Sequence, residues 1–168
     1  MLRDESRPPD AVAMTIRTES RITVAGNVSE VWAYLCDVGR WPEWAPTVLE
    51  CRVRGGGPLH PGAWVEQRAR DLGWNHRRSE LVTVVARPRS LAFAGTMGTS
   101  VARWGMEFQR EDDRQTNAMM WVEVDLANIM RAIPGRALTR QIQRVSDIEM
   151  AGIKGAVERD LREGAGSS

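Results

Sequence analysis

The chain has almost no lysine: of its 23 basic residues only Lys154 is one, and the other 22 are arginines. Two readings account for this bias, a GC-rich coding genome or guanidinium forks used on carboxylates and phosphates, and composition does not separate them. Cysteine is scarce too. Cys36 and Cys51 form no metal or redox spacing, so a disulfide framework is excluded and reduced thiols in a cytoplasmic protein are expected. The only histidines, His60 and His76, have no partner at ligand spacing, and no metal is expected. No nucleophile elbow, phosphate-cradling glycine loop or dinucleotide fingerprint occurs, so no cofactor is expected either. The opening MLRDESRPPDAVAM lacks the apolar stretch of a signal peptide, and no later run is long enough to span a bilayer. An excess of one charge is also missing. With 23 basic and 22 acidic residues the net charge is +1, which gives no broad electrostatic reason to expect nucleic acid or an anionic membrane as partner.

What is present is ordinary globular composition, 42% hydrophobic and 27% charged over 168 residues, enough for one domain with a sizeable core. Residues 1–12 are polar and proline-containing and read as a mobile arm, 13–163 as the domain, and 164–168 as a flexible tail. Met14, Ile16, Ile22 and Val24 share one alternating face, which predicts a first strand over 14–24. Asn27 or Ser29 caps a helix in which Val28, Val31, Trp32 and Leu35 recur at helical spacing. The segment 37–46, with Pro42 and Pro46, predicts a second short helix or a tight corner.

Six strand-like runs follow, over 47–54, 63–70, 76–86, 90–96, 100–110 and 116–126, separated by short glycine, proline or acidic turns. Strands joined this way form an antiparallel meander. After Pro134-Gly135, residues 136–162 read as one long helix, with Leu138, Ile142, Val145, Gly152, Ile153 and Ala156 on one face. A meander cannot hide its apolar face alone, so the helix must cover it. A straight helix over a curved sheet leaves a gap, and that gap is the expected cavity. The fold class is therefore α+β: about seven curved antiparallel strands wrapped on a long C-terminal helix, with two short helices between strands 1 and 2.

Three stretches carry a family resemblance. Ile22-Thr23-Val24-Ala25-Gly26-Asn27-Val28-Ser29-Glu30-Val31-Trp32 is a strand, a small residue and a V-W helix entry. Asp37 followed by Trp41-Pro42-Glu43-Trp44 is a W-P-x-W corner. Val82, Pro88, Leu91 and Phe93 lead into Ala102-Arg103-Trp104 and Phe108. In this order, covering residues 21–161, they resemble the START-like superfamily with its helix-grip fold, and within it the polyketide cyclase/dehydrase branch. The resemblance implies a hydrophobic, aromatic or polyketide-like small molecule in an internal cavity. It implies either aldol cyclisation and dehydration of a polyketone or simple carriage of a lipid or hydrophobic metabolite. The superfold hosts enzymes, carriers and regulators, so the site has to decide. A monomer or homodimer is expected.

The residues that could line or work such a site follow from the pattern. Trp41 and Trp44 either plug the corner or line the cavity mouth. Trp104, Met106 and Phe108 alternate with Arg103 and Glu107 and should face inward. Trp64, Met120, Ile142, Val145 and Gly152 are further wall candidates, and Ile129 and Met130 in the apolar segment 128–133 could form a lid or cap the core. Glu149 falls near the centre of the helix stripe, where a carboxylate needs a partner or a raised pKa. In one register of strand 74–82, His76, Arg78 and Glu80 point inward with Val82, and Glu66 and Arg68 on the next strand could extend them; the other register exposes them. Under the family resemblance, Arg78 or Arg103 would polarise a carbonyl, and Glu149, Glu80 or His76 would carry the proton.

Overall fold

Each run of alternating residues becomes a strand, and each turn signal ends one. The computed structural model describes residues 14–71, 74–97, 100–126 and 135–166. In chain order these are β1 (Met14–Ala25), α1 (Val28–Cys36), a 3-10 helix (Val38–Glu43), β2 (Val48–Val53), β3 (Trp64–Asp71), β4 (Trp74–Ala86), β5 (Ser90–Met97), β6 (Ser100–Arg110), β7 (Gln115–Leu126) and α2 (Gly135–Ala165). The expected arm at 1–12 and the Ile129–Met130 segment lie outside the described residues. The C-terminal helix continues through Ala165, two residues into the segment read as a tail.

All seven strands form one antiparallel sheet in the order β1-β7-β6-β5-β4-β3-β2. The meander from β2 to β7 is the one expected, and β1 closes on its last strand, with Met14 opposite Leu126 and Ala25 opposite Gln115. The chain therefore has to cross from one edge of the sheet to the other between β1 and β2. It does so through α1 and the 3-10 helix, whose ends are well defined. Asn27, not Ser29, is the cap of α1: its side chain accepts from the Ser29 and Glu30 N–H groups while the Glu30 carboxylate accepts from the Asn27 N–H. Asp37 caps the 3-10 helix by accepting from the Gly39 N–H at 3.1 Å. Trp41 Nε1 then donates to the Leu35 carbonyl at 3.0 Å, which folds the corner back on α1.

The core lies between the inner face of the sheet and the two covering layers. Val24, Val31, Leu35, Trp41, Val65, Val82, Phe93, Met106 and Met120 are all fully buried. Helix α2 buries Ser146, Met150, Ile153, Ala156 and Val157. This stripe is rotated slightly from the one read in the sequence, and it leaves Val145 at the helix edge, 38% exposed. Polar ties hold α2 along β1. Lys154 Nζ donates to the Thr23 carbonyl at 2.6 Å, Glu158 accepts from the Ala25 N–H at 2.8 Å, and Gln143 donates to the Glu19 carbonyl and the Ser20 hydroxyl.

The opposite side of α2 leans on the corner. There Arg40 bridges to Asp160 at 2.6 Å while its guanidinium lies 4.0 Å above the Tyr34 ring. Gly152 sits so close to the corner that a Cβ on it would stand 2.2 Å from the Trp44 carbonyl oxygen. That neighbour is backbone and cannot swing away. Gly152 is thus a contact point between helix and corner and not space left for a ligand. Gly155, one turn on, has nothing within 4 Å of the same position. Gly152→Ala should therefore destabilise the domain by roughly 1–3 kcal/mol, the usual cost of overpacking. Gly155→Ala should stabilise it by roughly 0.5–1 kcal/mol through helix propensity. Urea unfolding of the two variants checks both signs.

Candidate functional site

The C-terminal half of α2 is packed down, and its first half rests on Ile16, Val124 and Leu126 through Leu138 and Ile142 but leaves space over β3 to β6. Between them lies a cavity of about 670 Å³, bounded by the corner at one end and by the first turns of α2 at the other. Its wall is aromatic near the corner. Trp104 stacks on Phe93 at 4.3 Å between ring centroids and 17° between planes, and Trp41 meets both rings edge-on at 5.3 and 5.6 Å. Trp44 tilts against Trp41 at 5.7 Å. Met120, Val122, Val124, Leu138, Ile142 and Val145 continue the apolar wall.

The remaining wall is polar, and its position follows from the register of β4. Glu80 pairs with Val65, Arg78 with Gln67 and His76 with Ala69. Val65, Gln67 and Ala69 are the buried face of β3, so His76, Arg78 and Glu80 point inward with Val82. This is the inward of the two registers left open by the sequence. A shift at Thr83 then changes the phase between Val82 and Val84 and lets β4 continue into its turn.

Glu80 is well enclosed, its side chain 12% exposed against 32% for Arg78. One oxygen, Oε2, accepts from Gln67 Nε2 at 2.9 Å and from Trp104 Nε1 at 3.2 Å; the other, Oε1, lies 3.9 Å from Arg78 Nε. Arg78 in turn donates Nε–H to Gln67 Oε1 at 2.8 Å. Opposite Glu80, Gly95 leaves only 3.2 Å between a would-be Cβ and Glu80 Cγ, so any larger residue there would press on the carboxylate. Burial raises the Glu80 carboxyl above the ordinary value of 4.5, against the lowering pull of Arg78 and of the Trp104 and Gln67 hydrogen bonds. Cys51, across the sheet on β2, is pushed up to about 12, chiefly by burial and further by Glu80, and stays a thiol. His76, Arg77 and Glu149 are the other ionisable residues of the lining among the described residues.

Several expected residues lie elsewhere, each for a reason of alternation or packing. Arg103 sits on the outer face of β6, where it bridges to Asp125 at 2.7 Å and Glu123 at 3.2 Å, so it does not reach a ligand carbonyl in the cavity. Glu66 and Arg68 are outward too, paired with Arg52 and Arg54 and with Glu50. Trp64 is an outward residue of β3, 39% exposed, with the Arg54 guanidinium 5.4 Å from its ring centre. Met106 and Phe108 do face inward but are closed core, Phe108 meeting Trp32 edge-on at 5.9 Å, and neither lines the cavity. The cavity gathers Trp41, Trp44, Trp104, Met120, Ile142, Val145, His76, Arg78, Glu80 and Glu149. Gln67 and Gly95 went unread. The available signal for Gln67 was a lone amide between Val65 and Ala69 on a face that is otherwise apolar.

Among the described residues there is no cluster of side chains that could hold a metal ion, and no helix is long and apolar enough to cross a membrane. The chain matches the family described as polyketide cyclase / dehydrase and lipid transport over residues 15–165. It belongs to that family, a branch of the START-like proteins. Solved structures share its helix-grip fold. A START superfamily protein from Mycobacterium smegmatis is 13% identical with a TM-score of 0.71, over 86% of this chain and 98% of that one. The ZhuI aromatase/cyclase from Streptomyces sp. R1128 is 16% identical with a TM-score of 0.71, over 88% and 96%. A norcoclaurine synthase point mutant from Thalictrum flavum, in complex with a transition-state analogue, is 12% identical with a TM-score of 0.65, over 91% and 98%. No curated relative matches at the sequence level.

The raised carboxyl makes a stability prediction. Below 4.5 Glu80 is protonated in both the folded and the unfolded chain, and nothing is lost. As pH rises through the higher folded value, ionisation in the cavity destabilises the fold. Glu80→Gln keeps an acceptor for Gln67 and Trp104 without the charge. It should melt above wild type at neutral and alkaline pH, with the gap closing as pH falls below 4.5. Thermal melts across a pH series measure it; a gap that widens in acid would show the shift to be downward.

Proposed function

We propose that the protein binds a hydrophobic, aromatic or polyketide-like small molecule in the cavity under α2 and promotes its ring closure by proton transfer through Glu80. The observation that carries this reading is the enclosed Glu80 carboxyl, raised by desolvation and fixed by two donors, beside a guanidinium on the polar side of a chamber whose other side is apolar and aromatic. A carboxyl with a raised pKa is a stronger base when ionised and remains available as an acid nearer neutrality. The chamber would hold a flexible polyketone folded, raising the effective concentration of one carbonyl at the α-carbon of another.

In the proposed step Glu80 takes the α-proton, and Arg78 stabilises the enolate oxygen. The α-carbon then bonds to the second carbonyl carbon, whose oxygen takes up a proton. Loss of that hydroxyl as water, with removal of a further α-proton, completes a dehydration. The family description names both cyclase/dehydrase and lipid transport, and aromatase/cyclases are among the structures of the same fold. Trp44 Nε1 adds support. It is a buried donor with no acceptor among the described residues, in the cavity wall, where a ligand oxygen would satisfy it.

A non-catalytic carrier is the second reading, favoured by the length of apolar wall from Met120 to Val145. Two measurements separate them. Ile142→Trp and Val145→Trp should fill the chamber and weaken binding of 1-anilinonaphthalene-8-sulfonate by about tenfold or more, read by fluorescence titration, with the fold intact. A synthetic polyketone that cyclises by intramolecular aldol condensation then tests the chemistry. Glu80→Gln and Arg78→Ala should slow its ring closure by about 10²-fold, as loss of a general base or its electrostatic partner does. Turnover unchanged in both variants would leave the carrier reading standing.

A further inference from the structure

Gln67 stands between a guanidinium and a carboxyl group, and its amide cannot turn round. It is 3% exposed and directly opposite Arg78 across the β3–β4 ladder. Arginine has donors only, so the group it meets at 2.8 Å must be the amide oxygen. The amide NH2 is thereby forced toward Glu80, where it lies 2.9 Å from Oε2. The indole N–H of Trp104 also can only donate, and it reaches the same oxygen at 3.2 Å. Oε2 thus faces two N–H groups, and among the described residues it meets no acceptor toward which it could direct a proton of its own. Among the described residues Oε1 has no such hydrogen bond, and Arg78 Nε lies 3.9 Å from it.

We propose that Gln67 is a positioning residue: by holding Oε2 of Glu80 between two donors it reserves Oε1 as the oxygen that takes and returns the proton. The proposal rests on the reading of Glu80 as the proton carrier and adds which of its atoms works and what fixes that choice. Arg78 acts through the amide as well as directly, because its bond to Gln67 Oε1 polarises the N–H that Glu80 accepts. The other titratable and charged groups on this side of the cavity are few. His76, Arg77 and Arg78 come from β4, Cys51 from β2 and Glu149 from α2, while Gly95 and Thr96 of β5 and Ala102 and Trp104 of β6 bring no charge.

The carbonyl stretch of protonated Glu80 reads this directly in the ligand-free protein. A proton on Oε1 leaves the C=O bond ending at Oε2, which accepts two hydrogen bonds and therefore absorbs at low frequency. Difference infrared spectroscopy across the Glu80 titration, with Glu80→Gln to assign the band, should find it there. Gln67→Leu removes one donor and should shift the band upward, and Trp104→Phe should do the same from the other side. Gln67→Met, closer in shape, gives the same readout should the leucine variant fail to fold. A wild-type band at the frequency of a free carbonyl, or a band unmoved in the Gln67 variants, overturns the proposal. Dye binding and polyketone turnover are measured separately, so failure of the ligand reading and failure of the Gln67 assignment give different results.

Discussion

The helix–corner contact at Gly152 governs most of what the cavity is. Because Gly152 has no side chain, the backbone of α2 can rest on the carbonyl of Trp44. Arg40 and Asp160 clamp the same junction two turns further on. Along β1 the helix is tied again through Gln143, Lys154 and Glu158. A rigid rod held along one edge strand and pressed on one corner has its height over the rest of the sheet fixed. Where the inner face carries Met106 and Phe108 the space is filled. Where it carries Gln67, Arg78 and Glu80 the space stays open, with Leu138, Gln141, Ile142, Val145 and Glu149 of the helix facing those groups across it. The chamber is the part of the core left open beside those polar side chains.

The two kinds of wall are joined at one side chain. Trp104 gives its ring face to Phe93 and its N–H to Glu80. The aromatic cluster thus fixes the direction of a hydrogen bond in the polar cluster, and a shift of one would be felt in the other. A raised carboxyl kept inside an apolar chamber works against stability. Such a conflict between local chemistry and global fold is where sites are found.

This pattern also decides what could be read from the sequence. The order of elements was legible, with boundaries within about three residues, because glycine, proline and acidic turns interrupt period-2 runs and Asn27 and Asp37 mark helix starts. Strand β4 was not. Its residues 75–80 are polar on both faces, so alternation gives no sign, and only pairing with the apolar Val65 and Ala69 fixes which face is inside. Arg103 was misassigned although its alternation with Trp104 placed it outside. Gln67 shows in the sequence only as a lone amide on an apolar face, because its importance lies in the two groups of β4 that flank it, Arg78 and Glu80. The rotation of α2 by part of a turn was beyond a helical wheel, since the Gly152 contact sets it from outside the helix.

The pairing of β1 with β7 has a consequence for how the chain comes to be folded. Partners such as Met14 and Leu126 are joined by hydrogen bonds across more than a hundred residues of intervening chain. The meander from β2 to β7 can zip through short turns, each strand finding the one just made. The first strand must wait until the last has formed, and on a growing chain that means waiting for more than a hundred further residues. Its alternating apolar residues and unpaired backbone are exposed meanwhile. The charged residues Arg17, Glu19 and Arg21 on its other face serve a second purpose there, discouraging a foreign strand from taking the place that β7 will occupy.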